Sequence, residues 1–107
     1  NPAQTGEIIR FVSNLYKKFV INGIPVVIGE YGARAKNDNL QSRVNFAAFY
    51  VCVASSRNIP CVWWDNHAFK GNGELFGIFD RRTCEFRYPE IVEALMKYAG
   101  YNKVTLK

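Results

Sequence analysis

The chain has 107 residues, a formal net charge of +5 and a sequence pI near 9.3. With 49% hydrophobic and 21% charged residues it is no disordered polymer, and no apolar run approaches the ~20 residues a membrane span requires. The cations Lys17, Lys18, Arg34, Lys36, Arg81, Arg82, Lys103 and Lys107 are scattered, whereas a nucleic-acid footprint is a patch or stripe.

Chain order begins with a helix. From Glu7 to Val20 the residues Ile8, Val12, Leu15, Tyr16 and Phe19 recur at helical spacing, Lys17 and Lys18 oppose the dipole end, and Asn22-Gly23 supplies a stop. The unbroken apolar run Ile24-Pro25-Val26-Val27-Ile28-Gly29-Glu30 then predicts a strand covered on both faces, as in a parallel sheet. A second helix is expected from Leu40 to Ser55, with Val44, Ala47, Ala48, Val51 and Cys52 on one face. Asp38 with Gln41 has the spacing of a capping box, and the small Ala47 and Ala48 permit close approach to a sheet. The run Ile59-Pro60-Cys61-Val62-Trp63-Trp64-Asp65 predicts a second strand. Beyond it, Phe76–Phe79 and Cys84–Phe86 are expected to pair as a small hairpin around Asp80–Thr83. The last helix opens on Pro89, carries Ile91, Val92, Leu95 and Tyr98, and stops at Gly100.

The two strand runs repeat one another. Ile24-Pro25-x-Val27-x-x-Glu30 matches Ile59-Pro60-x-Val62-x-x-Asp65 at a constant offset of 35. One strand and one helix per ~31 residues is the unit of a (β/α)₈ barrel. In that register Glu30 and Asp65 end neighbouring parallel strands, the position where βα folds place their chemistry. A carboxylate ending an apolar strand is costly unless it is used. Two such strands cannot cover their own faces or edges. With Asn1 as first residue, no initiator Met and no basic-then-apolar leader, the expectation is a processed or excised piece of a larger domain.

These residues carry a family likeness. Gly23-Ile24-Pro25-Val26-Val27-Ile28-Gly29-Glu30-Tyr31-Gly32-Ala33 resembles the seventh strand of glycoside hydrolase family 5. Cys61-Val62-Trp63-Trp64-Asp65-Asn66 resembles the eighth, and Phe76-Gly77-Ile78-Phe79-Asp80-Arg81 the segment that follows it in bacterial and rumen-type endoglucanases. The resemblance implies an α/β fold: the C-terminal portion of a (β/α)₈ TIM barrel, about strands 7–8 with helices 6–8, in which residues 1–107 are one fragment of a single catalytic domain. It implies a secreted endo-β-1,4-glucanase with Glu30 as nucleophile and Trp64 as the floor of the sugar site, Trp63 being the alternative that the doubled Trp leaves. Adjacent strand residues point to opposite sides, so one of the two faces the cleft and the other the helices. It also implies a cis peptide at Trp64–Asp65, and no metal or cofactor.

The family's acid/base lies in an Asn-Glu-Pro run that this chain lacks. Asp65 and Glu74 are poor substitutes, because the family sets acid and nucleophile across the barrel mouth. The only histidine, His67, is expected as a loop residue at the cleft rim. The partners implied are a β-glucan and the rest of the barrel, with no nucleic acid and no membrane. Related readings are a mannanase, a xyloglucanase or a mixed-linkage glucanase. A rival of another class is a non-catalytic carbohydrate-binding fragment stacking sugars on Trp63, Trp64 and Tyr31. Cys52, Cys61 and Cys84 are odd in number and lack C-x-x-C spacing, which supports neither a zinc site nor a disulfide framework.

Overall fold

A computed structural model describes residues 2–100; Lys103 and Lys107 lie outside the described residues. Helix α1 spans Pro2–Lys18 and passes through a single 3₁₀ turn, Val20–Asn22, to Gly23, whose φ of 81° ends it in the left-handed region that glycine tolerates. Strand β1 is Ile28–Tyr31, helix α2 Leu40–Ser56 and strand β2 Cys61–Trp63. A hairpin of β3, Phe79–Asp80, and β4, Glu85–Phe86, precedes helix α3, Pro89–Tyr98. Strands β1 and β2 pair in parallel, and β3 and β4 pair antiparallel with Phe79 opposite Phe86 and Asp80 opposite Glu85.

Both βα strands are shorter than the apolar runs that contain them. Pro25 has no N–H to donate, and ladder bonding starts only where the Ile28 N–H reaches the Pro60 carbonyl at 2.9 Å. The register also differs from the sequence repeat. Ile28 pairs with Cys61 and Tyr31 with Trp63, offsets of 33 and 32 in place of 35. A stagger between neighbours is what tilted barrel strands require, so equivalent sequence positions do not sit side by side.

The pairing is irregular between Ile28 and Tyr31. Both residues are buried although they are three apart, and Gly29 and Glu30 between them are exposed. Strict alternation would have sent Glu30 to the same side as Ile28. The irregularity turns the carboxylate outward, the re-aiming that bulges perform.

The core lies on the helix side of the two strands. Val12 of α1, Ile28, Tyr31, Ala54 of α2 and Ile59 form one buried cluster. Ala47, Ile78 and Ile91 form a second, between α2 and α3. Ala54 is therefore the small residue facing the strands, whereas Ala47 receives α3. The expected capping box is absent: Asn39 stands at the helix start, and its side chain accepts from Lys36 N–H at 2.8 Å and donates to the Arg34 carbonyl at 3.1 Å. Gln41 donates instead to Asn45 Oδ1 at 2.9 Å. The opposite face of the strands is uncovered among the described residues, with Val27 62% and Val62 53% exposed. No described helix is long and apolar enough to cross a membrane.

Candidate active site

Glu30 and Trp64 both lie at the C-terminal ends of the parallel pair. The Trp64 N–H donates to the Tyr31 carbonyl at 2.7 Å, which ties the residue after Glu30 to the end of β2. Close approach continues at Gly32, where a Cβ would lie 3.5 Å from both Trp64 Cβ and the Trp64 carbonyl oxygen. Trp64 is 43% exposed, on the uncovered side.

Its neighbour Trp63 faces the other way. The Trp63 indole packs edge-on against Tyr31 at 5.2 Å and lies 6.3 Å from Phe46 of α2, and its N–H is buried without a partner. Tyr31 stacks on Tyr50 at 4.2 Å, and burial pushes its phenol well above the usual tyrosine range. Burial likewise pushes the Cys61 thiol up. Tyr31 and Trp63 are therefore parts of the helix-side packing. All three cysteines are free thiols, and no group of three or more candidate metal ligands occurs among the described residues.

Asp65 and Asn66 spend their side chains on the backbone. Asp65 Oδ1 accepts from His67 N–H at 2.9 Å and Oδ2 from Phe79 N–H at 3.1 Å, while Arg81 Nη2 donates to the Asp65 carbonyl at 3.0 Å. A carboxylate so engaged anchors the β3 hairpin. The Trp64–Asp65 peptide is trans, as are all described peptide bonds, in contrast to the expectation of a cis bond; trans is lower by about 3–4 kcal/mol wherever nothing else decides. His67 lies in the loop with a φ of 58°; its Nε2 accepts from Arg81 N–H at 3.2 Å and sits 3.5 Å from Asp80 Oδ1. The Asp80 carboxyl is held down at about 2, first by the Arg82 backbone N–H at 2.9 Å and further by Arg87 and Thr83.

Sequence reasoning overlooked Arg43. It is 1% exposed in α2, donates from Nε to the Ala33 carbonyl at 2.9 Å, and stacks its guanidinium 4.8 Å over the Tyr88 ring. Burial works against its charge, and one terminal nitrogen has no partner. The signal was its spacing of four to Ala47 and of eight to Val51, which puts it on the buried stripe of the helix. The Asp65-Asn66 pair also had a signal, the tendency of such side chains to bond the backbone two residues on.

Residues 2–70 match the family model described as cellulase, glycosyl hydrolase family 5. Endoglucanase 1 of Ruminococcus albus is 42% identical over 86 residues, 80% of this chain and 21% of that protein. Endoglucanase B of Neocallimastix patriciarum is 43% identical over 89 residues, 83% of this chain and 19% of that protein. Among solved structures, a family 5 lichenase from Caldicellulosiruptor sp. F32 superposes with a TM-score of 0.90 at 61% identity, covering 92% of this chain and 26% of that one. A broad-specificity endoglucanase from Clostridium cellulovorans superposes at 0.87 with 41% identity, covering 91% and 28%. The chain thus spans about a fifth of the length of those curated relatives.

Proposed function

The chain belongs to glycoside hydrolase family 5, and from that premise we propose that it is the C-terminal part of a secreted endo-β-1,4-glucanase whose nucleophile is Glu30. The observation that carries this reading is the exposed Glu30 carboxylate, turned outward at the end of a parallel strand and joined to the end that bears Trp64. β1 and β2 are then the seventh and eighth strands of the barrel, and the uncovered Val27 and Val62 face its interior, closed by strands from outside these residues.

The chemistry is retaining hydrolysis. The Glu30 carboxylate attacks the anomeric carbon and the glycosidic C–O bond breaks. The leaving oxygen takes its proton from a second carboxyl about 5–5.5 Å from the first. That second carboxyl then accepts a proton from water as the water cleaves the glycosyl ester, which regenerates both groups. No Asn-Glu-Pro triplet occurs here, so the acid/base comes from the remainder of the barrel, and the isolated 107 residues are expected to be inactive. Trp64 supplies an apolar face beneath a pyranose ring next to the bond cleaved.

The likeness to a lichenase at 61% identity favours a second reading of the substrate, a mixed-linkage β-glucan. Comparison of kcat/KM on carboxymethylcellulose and on lichenan separates the two. The central assignment is tested by trapping the full-length protein with a 2-deoxy-2-fluoro glycoside and locating the adduct by mass spectrometry. We expect it on Glu30, and a label elsewhere overturns the assignment. Glu30→Gln abolishes turnover on this reading, whereas a purely carbohydrate-binding protein has no turnover to lose.

A further inference from the structure

We propose that Asn66 is a positioning residue that couples the loop behind Trp64 to the loop behind Glu30, by gripping the Glu74–Phe76 segment that lies between them. The Asn66 side chain bonds the backbone three times. Oδ1 accepts from Ala68 N–H at 3.1 Å and from Phe76 N–H at 3.2 Å, and Nδ2 donates to the Glu74 carbonyl at 2.8 Å. Leu75 is thereby held from both sides, and its carbonyl accepts from Ala35 N–H at 2.7 Å. Phe76 reaches the same loop through its ring, with Cδ1 3.4 Å from where a Cβ on Gly32 would stand.

The path is short. Gly32 is two residues after Glu30, a Cβ there would lie within 3.5 Å of both Trp64 and Phe76, and Ala35 is three residues further on. Pairing with β2 fixes Ile28 and Tyr31 on either side of Glu30, and the Glu74–Phe76 strap fixes the chain that leaves it. The inference rests on the reading of Glu30 as nucleophile. A misplacement of about 1 Å in a reacting group costs about 100-fold in rate. Release of the strap therefore acts on kcat. Trp64 keeps its own hydrogen bond to Tyr31, so KM moves little.

The test uses the full-length protein that carries this chain, assayed well below each variant's unfolding midpoint. Asn66→Ala removes all three bonds. Asn66→Asp keeps the Oδ1 acceptor and sets an oxygen against the Glu74 carbonyl. Phe76→Ala cuts the strap at its other end. Each is expected to lower kcat by about 10- to 100-fold while KM stays within about threefold. The Asn66→Ala/Phe76→Ala double variant is expected within about threefold of the worse single, because effects through one shared element do not add. Unchanged kcat, losses confined to KM, or single effects that multiply in the double variant overturn the coupling. Where Asn66→Ala fails to fold, Asn66→Asp and Phe76→Ala decide alone by the same split between kcat and KM. Glu30→Gln, run in parallel, keeps the two claims apart: residual turnover in that variant removes the nucleophile assignment whatever Asn66 does.

Discussion

Adjacent tryptophans with opposite surroundings should fail in opposite ways. Among the described residues the Trp64 ring is 43% exposed, which is an upper bound once the rest of the barrel is in place, and the perturbation is Trp64→Ala in the full-length protein. If a sugar covers that exposed fraction of a side chain of about 250 Å², about 100 Å² leaves water, worth about 2.5 kcal/mol at about 25 cal/mol per Å². Every 1.4 kcal/mol is about tenfold, so the ceiling lies near 60-fold and the expected loss in kcat/KM on a soluble β-glucan is about 10- to 60-fold. Stability should barely change. Trp63→Ala instead empties a space between Tyr31, Phe46 and the second core cluster, and should cost about 3 kcal/mol, the lower end for a Trp-to-Ala change because Trp63 is only half-buried. Its kcat/KM per folded molecule should remain within about threefold of the parent, under half of one tenfold step. Urea denaturation and initial-rate kinetics on the same preparations read both quantities. An intact kcat/KM in Trp64→Ala, or a binding defect without a stability loss in Trp63→Ala, refutes the assignment of faces.

Other expectations follow from single contacts. Gly77→Ala places a Cβ 2.8 Å from the Ala68 carbonyl oxygen and within 2.9 Å of the Phe69 ring. That overpacking should cost about 1–3 kcal/mol in urea denaturation, while Gly73→Ala, which meets nothing within 4 Å, should stay within about 0.5 kcal/mol of the parent. Parental stability in Gly77→Ala defeats the account of that loop. The Asp80 carboxyl, held at about 2 by the Arg82 backbone N–H and its other partners, has a folded value below its unfolded one. Its contribution is therefore complete above about pH 4 and fades as pH falls towards 2. The stability gap between the parent and Asp80→Asn should narrow over that window, and a gap that stays constant rejects the reading.

The helices were largely legible because their signals are local. Apolar spacing placed α2 within one residue at its C-terminal end, and Pro89 with Gly100 marked the bounds of α3. The hairpin turn was legible to within one residue: it was expected at Asp80–Thr83 and lies at Arg81–Cys84, because Asp80 still pairs with Glu85 while its side chain accepts from the Arg82 N–H. Arg43 shows where such reading stops. A cation on a helix is ordinarily given to solvent, and only its place on the stripe of Ala47 and Val51 marks it as buried. What it is buried against, the Ala33 carbonyl and the Tyr88 ring, is contributed by chain distant in sequence.

The strands were legible in existence and not in parity. A repeat of 35 identifies two equivalent βα units, but the register is set by the tilt at which neighbours lie, and that tilt belongs to the sheet as a whole. Alternation states that Trp63 and Trp64 oppose one another; it does not say which of them meets the helices. The same rule applied to β1 gives the wrong side for Glu30. Ile28 and Glu30 differ by two residues and should share a face, yet Ile28 is buried and Glu30 exposed: the pairing shifts between Ile28 and Tyr31, and Tyr31 packs inward against Tyr50. An aromatic core residue directly after the carboxylate thus coincides with the irregularity, and the carboxylate within it is left exposed. In this chain the stability of the helix-side packing and the aim of the proposed nucleophile are set by the same four residues, Ile28 to Tyr31.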